Sequence, residues 1–139
     1  MPVYAATDHN ITVNGTAFSN VLQSVSLDLS LDEIETTAFG SAWRTRIAGL
    51  KSGSVTLNFF QDFGASSVDS VLSGLFNGTN NSLATVVVKP TSSATSATNP
   101  AWTAVCLVSQ YQPFSASVGD IATLSVTWPT SGTVTRATA

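Results

Sequence analysis

Few residues in this chain are equipped for acid–base, nucleophilic or metal chemistry. Its 139 residues include one His, one Cys, eight Asp or Glu and five Lys or Arg. A Ser–His–Asp mechanism would have to recruit His9, which has Asp8 beside it, and no Gly-x-Ser-x-Gly elbow exists to present a nucleophile. His9 reads as a solvated residue near the terminus. Cys106 lies in the apolar run Ala104-Val-Cys-Leu-Val108 with no base or cation at hand, which is the setting of a buried, inert thiol. Zinc lacks His and Cys ligands. Asp32, Glu33 and Glu35 offer carboxylates to calcium but without EF-hand spacing, and no glycine loop able to cradle phosphate is present. Paired glycosidase carboxylates could come from any two of the few acids, and spacing singles out no pair. No catalytic residue, cofactor or metal is expected.

What the chain has in quantity is small hydroxyls: 20 Ser and 19 Thr. Charged residues make up only 9%, against about 25% in ordinary globular proteins. The net charge of −3, without any cluster of Lys and Arg, argues against a protein that grips nucleic acid through its phosphates. No run approaches the ~20 apolar residues of a membrane span. Met1 to Asn10 has neither the basic nor the apolar stretch of a secretory signal, so the Asn-x-Ser/Thr triplets at Asn10, Asn14, Asn77 and Asn80 carry no weight. A single Cys permits no disulfide within one chain, so stability must come from packing or assembly. A surface this poor in charge is the first hint of assembly. The length fits one domain.

The dominant period is two, the signature of half-buried strands. In residues 24–31, Val25, Leu27, Leu29 and Leu31 oppose Ser24, Ser26, Asp28 and Ser30. In 54–60, Val55, Leu57 and Phe59 oppose Ser54, Thr56 and Asn58. In 121–128, Ala122, Leu124, Val126 and Trp128 oppose Ile121, Thr123, Ser125 and Thr127. Further strands are predicted at Leu83–Lys89 and Trp102–Tyr111, and Asn14-Gly15 predicts a hairpin with a type I′ turn. One helix is predicted at about 66–76, with Val68, Val71, Leu72 and Leu75 on one side. Ser66 or Ser67 would be its N-cap, Asp69 or Asp62 would meet its positive end, and Asn77-Gly78 would stop it.

The expected fold is therefore mainly β: an antiparallel sandwich or barrel with one short flanking helix and a long inter-strand loop at 32–53. That loop holds Asp32, Glu33 and Glu35, then Arg44, Arg46 and Lys51, which concentrates most of the basic residues after a cluster of acids. Loops of this length without a core of their own are usually functional. Residues 91–100 read as a mobile low-complexity loop and 130–139 as a flexible tail of the one domain, 1–139.

The polar strand faces are Ser24, Ser26, Asp28, Ser30; Ser54, Thr56, Asn58; and Thr123, Ser125, Thr127. They contain no Lys or Arg, whereas exposed sheet faces commonly carry such groups. A smooth hydroxyl face with scattered negative charge is non-adhesive toward polyanions and suits either a pore or a Ser/Thr-rich sandwich surface.

The run Asp32-Glu-Ile-Glu-Thr-Thr-Ala-Phe-Gly40, then Arg44-Thr-Arg46, Gly49-Leu50 and Val55-Thr-Leu-Asn-Phe-Phe-Gln-Asp-Phe63, followed by the helix, resembles the major tail tube protein of long-tailed bacteriophages. The likeness spans about residues 9–128. It implies a structural virion protein whose six copies form a ring, with rings stacked helically into a tail tube that conducts DNA. The ten polar-face residues named above would then line the lumen, and Asp32, Glu33, Glu35, Arg44, Arg46 and Lys51 would make contacts between subunits and rings. The resemblance implies the chain itself, tape-measure and tail terminator or tip proteins as partners, transient passage of double-stranded DNA, no membrane, and a place in the virion tail after synthesis in the host cytoplasm. Two other functions fit the composition. One is an immunoglobulin-like decoration or adhesion domain, binding a capsid or carbohydrate through Trp43 or Trp102; the other is a carbohydrate-active β enzyme with two convergent carboxylates.

Overall fold

The computed structural model describes Ala5 and residues 7–139, with Thr79 and Asn80 as backbone only. Met1–Tyr4 and Ala6, part of the stretch read for a secretory signal, lie outside the described residues. In chain order the elements are β1 (Asn10–Val13), β2 (Thr16–Ala17), β3 (Leu22–Glu35), β4 (Arg46–Phe60), α1 (Val68–Phe76), β5 (Leu83–Lys89), β6 (Ala101–Leu107), β7 (Thr123–Pro129) and β8 (Thr135–Ala137). They form two antiparallel sheets, one in the order β2-β1-β5-β6-β8 and the other β3-β4-β7. The mainly β fold with one flanking helix stands as expected.

The alternating pattern decides what lies between the sheets. Val55, Leu57 and Phe59 of β4 and Leu124, Val126 and Trp128 of β7 are buried, facing Ile11 and Val13 of β1, Ala84 and Val86 of β5, and Ala104 and Cys106 of β6. Phe18 meets Phe59 edge-on at 5.6 Å. The indole of Trp128 is buried without loss, because its Nε1 donates to the Gln110 carbonyl at 3.0 Å. Burial pushes the Cys106 thiol up to about 11, so it is an unreactive filler, as expected. The β1–β2 turn has Asn14 at φ 49° and Gly15 at φ 83°, the two left-handed residues a type I′ turn requires.

Helix α1 closes one end of the core with Val68, Leu72 and Leu75. Ser67 occupies the N-cap position but makes no side-chain capping bond. Its hydroxyl instead donates to Asp62 Oδ2 at 2.7 Å, while the Gly64 N–H donates to Oδ1 at 2.8 Å. Asp62 therefore fixes the pre-helical turn, and its backbone carbonyl accepts the Asp69 N–H at 3.1 Å. The bond from Gly64, and next that from Ser67, hold its carboxyl below the ordinary value of 3.8. Tyr111 ties the following loop to this end: its hydroxyl donates to Asp69 Oδ1 at 2.6 Å, and burial above all pushes it up to about 12.

Three expectations are revised. The loop expected at 32–53 shrinks to 36–45, because β3 continues to Glu35 and β4 starts at Arg46. The charged run interrupts the apolar alternation but leaves the backbone ladder intact, with Glu33 opposite Ala48, Ile34 opposite Ile47 and Glu35 opposite Arg46. Residues 91–100 are organised around Asn99, a buried side chain whose Oδ1 accepts the Thr91 N–H at 3.0 Å and whose Nδ2 donates to the Ser93 carbonyl at 2.8 Å. The segment expected as a flexible tail contributes β8, paired with β6.

Two outcomes follow. Leu57→Ala is expected to cost about 2–5 kcal/mol, whereas Thr56→Ala on the opposite face costs about 1 kcal/mol or less. Urea unfolding of both variants checks this, and equal losses would mean that the inward face is misassigned. Because the Asp62 carboxyl is depressed in the folded state, its stabilisation is present above its unfolded value and disappears as pH falls through the folded one. The urea midpoint of Asp62→Asn is therefore expected to lie below that of the wild type at pH 6 and to converge with it in acid; a gap that persists at pH 2 would exclude this role.

Candidate functional site: a hydroxyl sheet face and a projecting ribbon

The register of the β3-β4-β7 sheet brings the three polar strand faces onto one surface. Ser24, Asn58 and Ser125 form one row across the sheet, and Ser26, Thr56 and Thr127 form the next. Asp28 and Ser54 follow, with Pro129 closing the row on β7, and Thr123 stands opposite Phe60 at the far end. Ser30 pairs with Ser52, a member of this face that the sequence reading missed. The signal for it was there, since Ser52 extends the alternation of Ser54, Thr56 and Asn58, but the loop assignment hid it.

Short hydroxyls on adjacent strands satisfy one another instead of reaching outward. Asn58 donates to Ser24, Thr56 Oγ1 and Thr127 Oγ1 lie 3.3 Å apart, and Ser30 Oγ and Ser52 Oγ lie 2.8 Å apart. Ser26 donates to Asp28 Oδ2 at 3.2 Å. Strand alternation puts Asp32 on this face as well, beyond Ser30. Its approach to β4 needs Gly49, where an added Cβ would stand 2.9 Å from the Asp32 Cβ. All five basic residues lie off this face: Lys51 and Arg46 on the reverse side of the ribbon, Arg44 in the turn, and Lys89 and Arg136 on β5 and β8 of the other sheet. The face is thus polar and free of cations.

Beyond Gly53 and Leu29 the third strand is gone, and β3 and β4 run on as a two-stranded ribbon. A register shift between Leu31 and Glu33 marks a bulge in it. The expected contact residues sit here, but most of their charge is already paired within the chain. Arg46 Nε lies 3.3 Å from Glu33 Oε2 and Arg44 Nε lies 3.7 Å from Glu35 Oε1, both pairs exposed. Such exposed pairs contribute roughly 0–1 kcal/mol each. Asp32 and Lys51 have no ion-pair partner among the described residues. Asp32, Glu33 and Glu35 do not converge on a cation, and no group of three potential metal ligands occurs among the described residues.

The sequence reading gave little weight to the ribbon's apolar content. Leu29, Leu31, Ile34, Ile47 and Leu50 are exposed, and in the turn Phe39 and Trp43 are 109% and 85% exposed. Leu29 had been expected to pack inward with Val25 and Leu27; it projects past the end of the core and is half exposed. A second exposed apolar set, Phe63 stacked on Phe114 at 5.6 Å with Val118 and Ile121, borders the 109–122 segment. Of the two aromatics named for an adhesion function, Trp43 stands free in the turn and Trp102 is half-buried.

The two-sheet β fold is shared with solved structures of phage-type tail proteins. The chain is similar to a protein in the virion of a native gene transfer agent particle, with a TM-score of 0.76, 11% identity and coverage of 96% of this chain and 98% of that one. It is similar to the SPP1 tail tube protein, with a TM-score of 0.76, 12% identity and coverage of 99% and 80%. It is also similar to a protein in the tail of an empty gene transfer agent particle refined with helical, C6 symmetry, with a TM-score of 0.61, 13% identity and coverage of 83% and 81%. No family model matches the sequence, and no curated protein does.

A cation-free face should not hold DNA, and cations added to it should. The triple variant Asp28→Lys, Thr56→Lys, Ser125→Lys is expected to bind duplex DNA with affinity that falls steeply with salt, while the wild type is not retained. Filter binding across a salt series reads both. Wild-type retention equal to that of the variant would contradict the electrostatic reading of the face.

Proposed function

We propose that this chain is the structural subunit of a phage tail tube, in which six copies close into a ring and rings stack into a conduit for DNA. The observation that carries the reading is the union of all three hydroxyl strand faces on one side of a single sheet, free of Lys and Arg. That sheet ends at β3 on one side and β7 on the other. A ring that sets the β3 edge of one copy beside the β7 side of the next shields the long β3 edge from unwanted pairing and makes the hydroxyl face continuous. The lumen residues are Ser24, Ser26, Asp28, Ser30, Ser54, Thr56, Asn58, Thr123, Ser125 and Thr127, joined by Ser52 and Asp32.

The mechanism is physical, with no catalytic step. Phosphates sliding past hydroxyls, with carboxylates at Asp28 and Asp32, gain none of the counterion release that makes DNA stick to cationic surfaces. The ribbon carries the contacts to the neighbouring ring, and the chain works as one tail-tube domain. The remaining partners of this reading are a tape-measure protein in the lumen and terminator or tip proteins at the tube ends. The chain is made in the host cytoplasm, ends in the virion tail and requires no membrane; among the described residues no helix is long and apolar enough to cross one.

Negative-stain microscopy at rising protein concentration tests the reading: hollow tubes with a regular axial repeat are expected, and a monomer at every concentration, with Trp43 binding glycan or capsid, would favour an adhesion domain. A charge swap separates the two uses of the ribbon's ion pairs. Arg46→Glu alone is expected to leave the subunit folded and to block tube growth. Glu33→Arg combined with Arg46→Glu restores the internal pair; recovery of tubes would assign that pair to ribbon geometry alone, whereas continued failure is expected if Arg46 and Glu33 also meet the next ring.

A further inference from the structure

Where the ribbon leaves the body of the molecule, residues 29–31 and 51–52, Trp102 and the 130–134 segment enclose an open groove of about 710 Å³. Leu29, Leu31, Trp102 and Val134 give it an apolar lining, and Lys51 and Thr133 add polar groups. A Cβ at Gly53 would lie 2.9 Å from Leu29 Cδ2, so the absence of a side chain there leaves room for Leu29, one of the lining residues. The same chain carries an apolar projection with nothing to cover it, the 36–45 turn with Phe39 and Trp43.

We propose that this groove is the receptor for the ribbon turn of a second copy of the chain, with Phe39 and Trp43 as the inserted groups. The proposal rests on the tube reading for the fact of self-association and adds to it the surface that receives the ribbon. Reach makes the contact intermolecular. The β3–β4 ladder continues four residues past Leu31 to Glu35, about 13 Å at about 3.3 Å per residue, and carries the turn away from the chain's own groove, which leaves Phe39 and Trp43 exposed and available to another copy. Size selects a turn over a single side chain, since the groove falls within the roughly 300–1,000 Å³ of pockets that enclose compact multi-group ligands. Chemistry fits as well. The apolar lining suits both rings, and Lys51, which has no ion-pair partner among the described residues, is placed at the groove to approach the Trp43 face as a cation–π partner. Donor and acceptor surfaces differ, so the contact is head-to-tail and repeats from copy to copy, as an open-ended stack requires.

Cysteine cross-linking tests this directly, because the native Cys106 is buried. Ser41→Cys, which lies between the two inserted rings in the turn, and Thr133→Cys proteins are prepared separately, mixed at assembly concentration, oxidised mildly, run on a non-reducing gel and imaged by negative stain. Ala42→Cys replaces Ser41→Cys if the latter loses its far-ultraviolet circular dichroism. A disulfide requires the two Cβ atoms within about 4.5 Å, so a cross-linked dimer several-fold above either variant alone is expected only if turn meets groove. Tubes together with the cross-link support the proposal. Tubes without it overturn the proposal and leave the tube reading standing. The cross-link without tubes supports the docking and overturns the tube reading, and the absence of both overturns both. A disulfide within one chain carrying Ala5→Cys and Thr133→Cys, in place of the intermolecular one, would assign the groove to the chain's own N-terminal segment and overturn the proposal.

Discussion

Past Leu29 and Gly53 the β3–β4 ladder continues without a third strand or an opposing sheet, and a two-stranded hairpin in water has little stability of its own. The rest of the design depends on this constraint. Backbone pairing defines the ribbon's shape, and neither it nor the two exposed ion pairs offsets the exposure of Leu31, Ile34, Ile47, Leu50, Phe39 and Trp43. An exposed apolar surface of this kind marks an interaction site. The compact part of the chain has the opposite character. Val55, Leu57, Phe59, Leu124, Val126 and Trp128 are buried between the sheets. A stable body and an unfinished extension are what a subunit needs if it is to fold first and assemble afterwards.

The two faces of the same sheet are separated by the strand period alone. One residue along β4, from Leu57 to Asn58, is the difference between the centre of the core and the hydroxyl surface. On that surface the choice of small groups has a physical consequence. Asn58, Thr56 and Ser30 bond to the cross-strand neighbours Ser24, Thr127 and Ser52, so these side chains lie along the face. A Lys in any of these positions would reach several ångströms outward and attract phosphate. The low charge content of the sequence and the placement of every basic residue elsewhere thus converge on the proposed conduit.

Much of this was legible in the sequence, for reasons particular residues make plain. The alternation at 24–31, 54–60 and 121–128 carries both the core and the hydroxyl face, because burial on one side of a strand must leave a period of two. Asn14-Gly15 announced its turn through backbone sterics, and Val68, Leu72 and Leu75 announced the helix. The reading failed where no burial disciplines the pattern. Residues 32–35 and 46–53 pair through backbone bonds that any side chain permits, so their mixture of acids, bases and apolar groups looked like a loop. Asn99 escaped notice because a buried amide that satisfies backbone groups has the same letter as one in solvent. The register that aligns Ser24 with Asn58 and Ser125 is a property of the sheet, and no single strand contains it.

The central claim is that the Ser24–Asn58–Ser125 face lines the bore of a ring. A cryo-electron microscopy reconstruction of the assembled protein tests it most directly. The account requires a hollow assembly with Ser26, Thr56 and Thr127 facing the axis and the ribbon reaching a neighbouring ring. A bore lined instead by the β5 and β8 sheet, with Lys89 and Arg136 toward the axis, would contradict it.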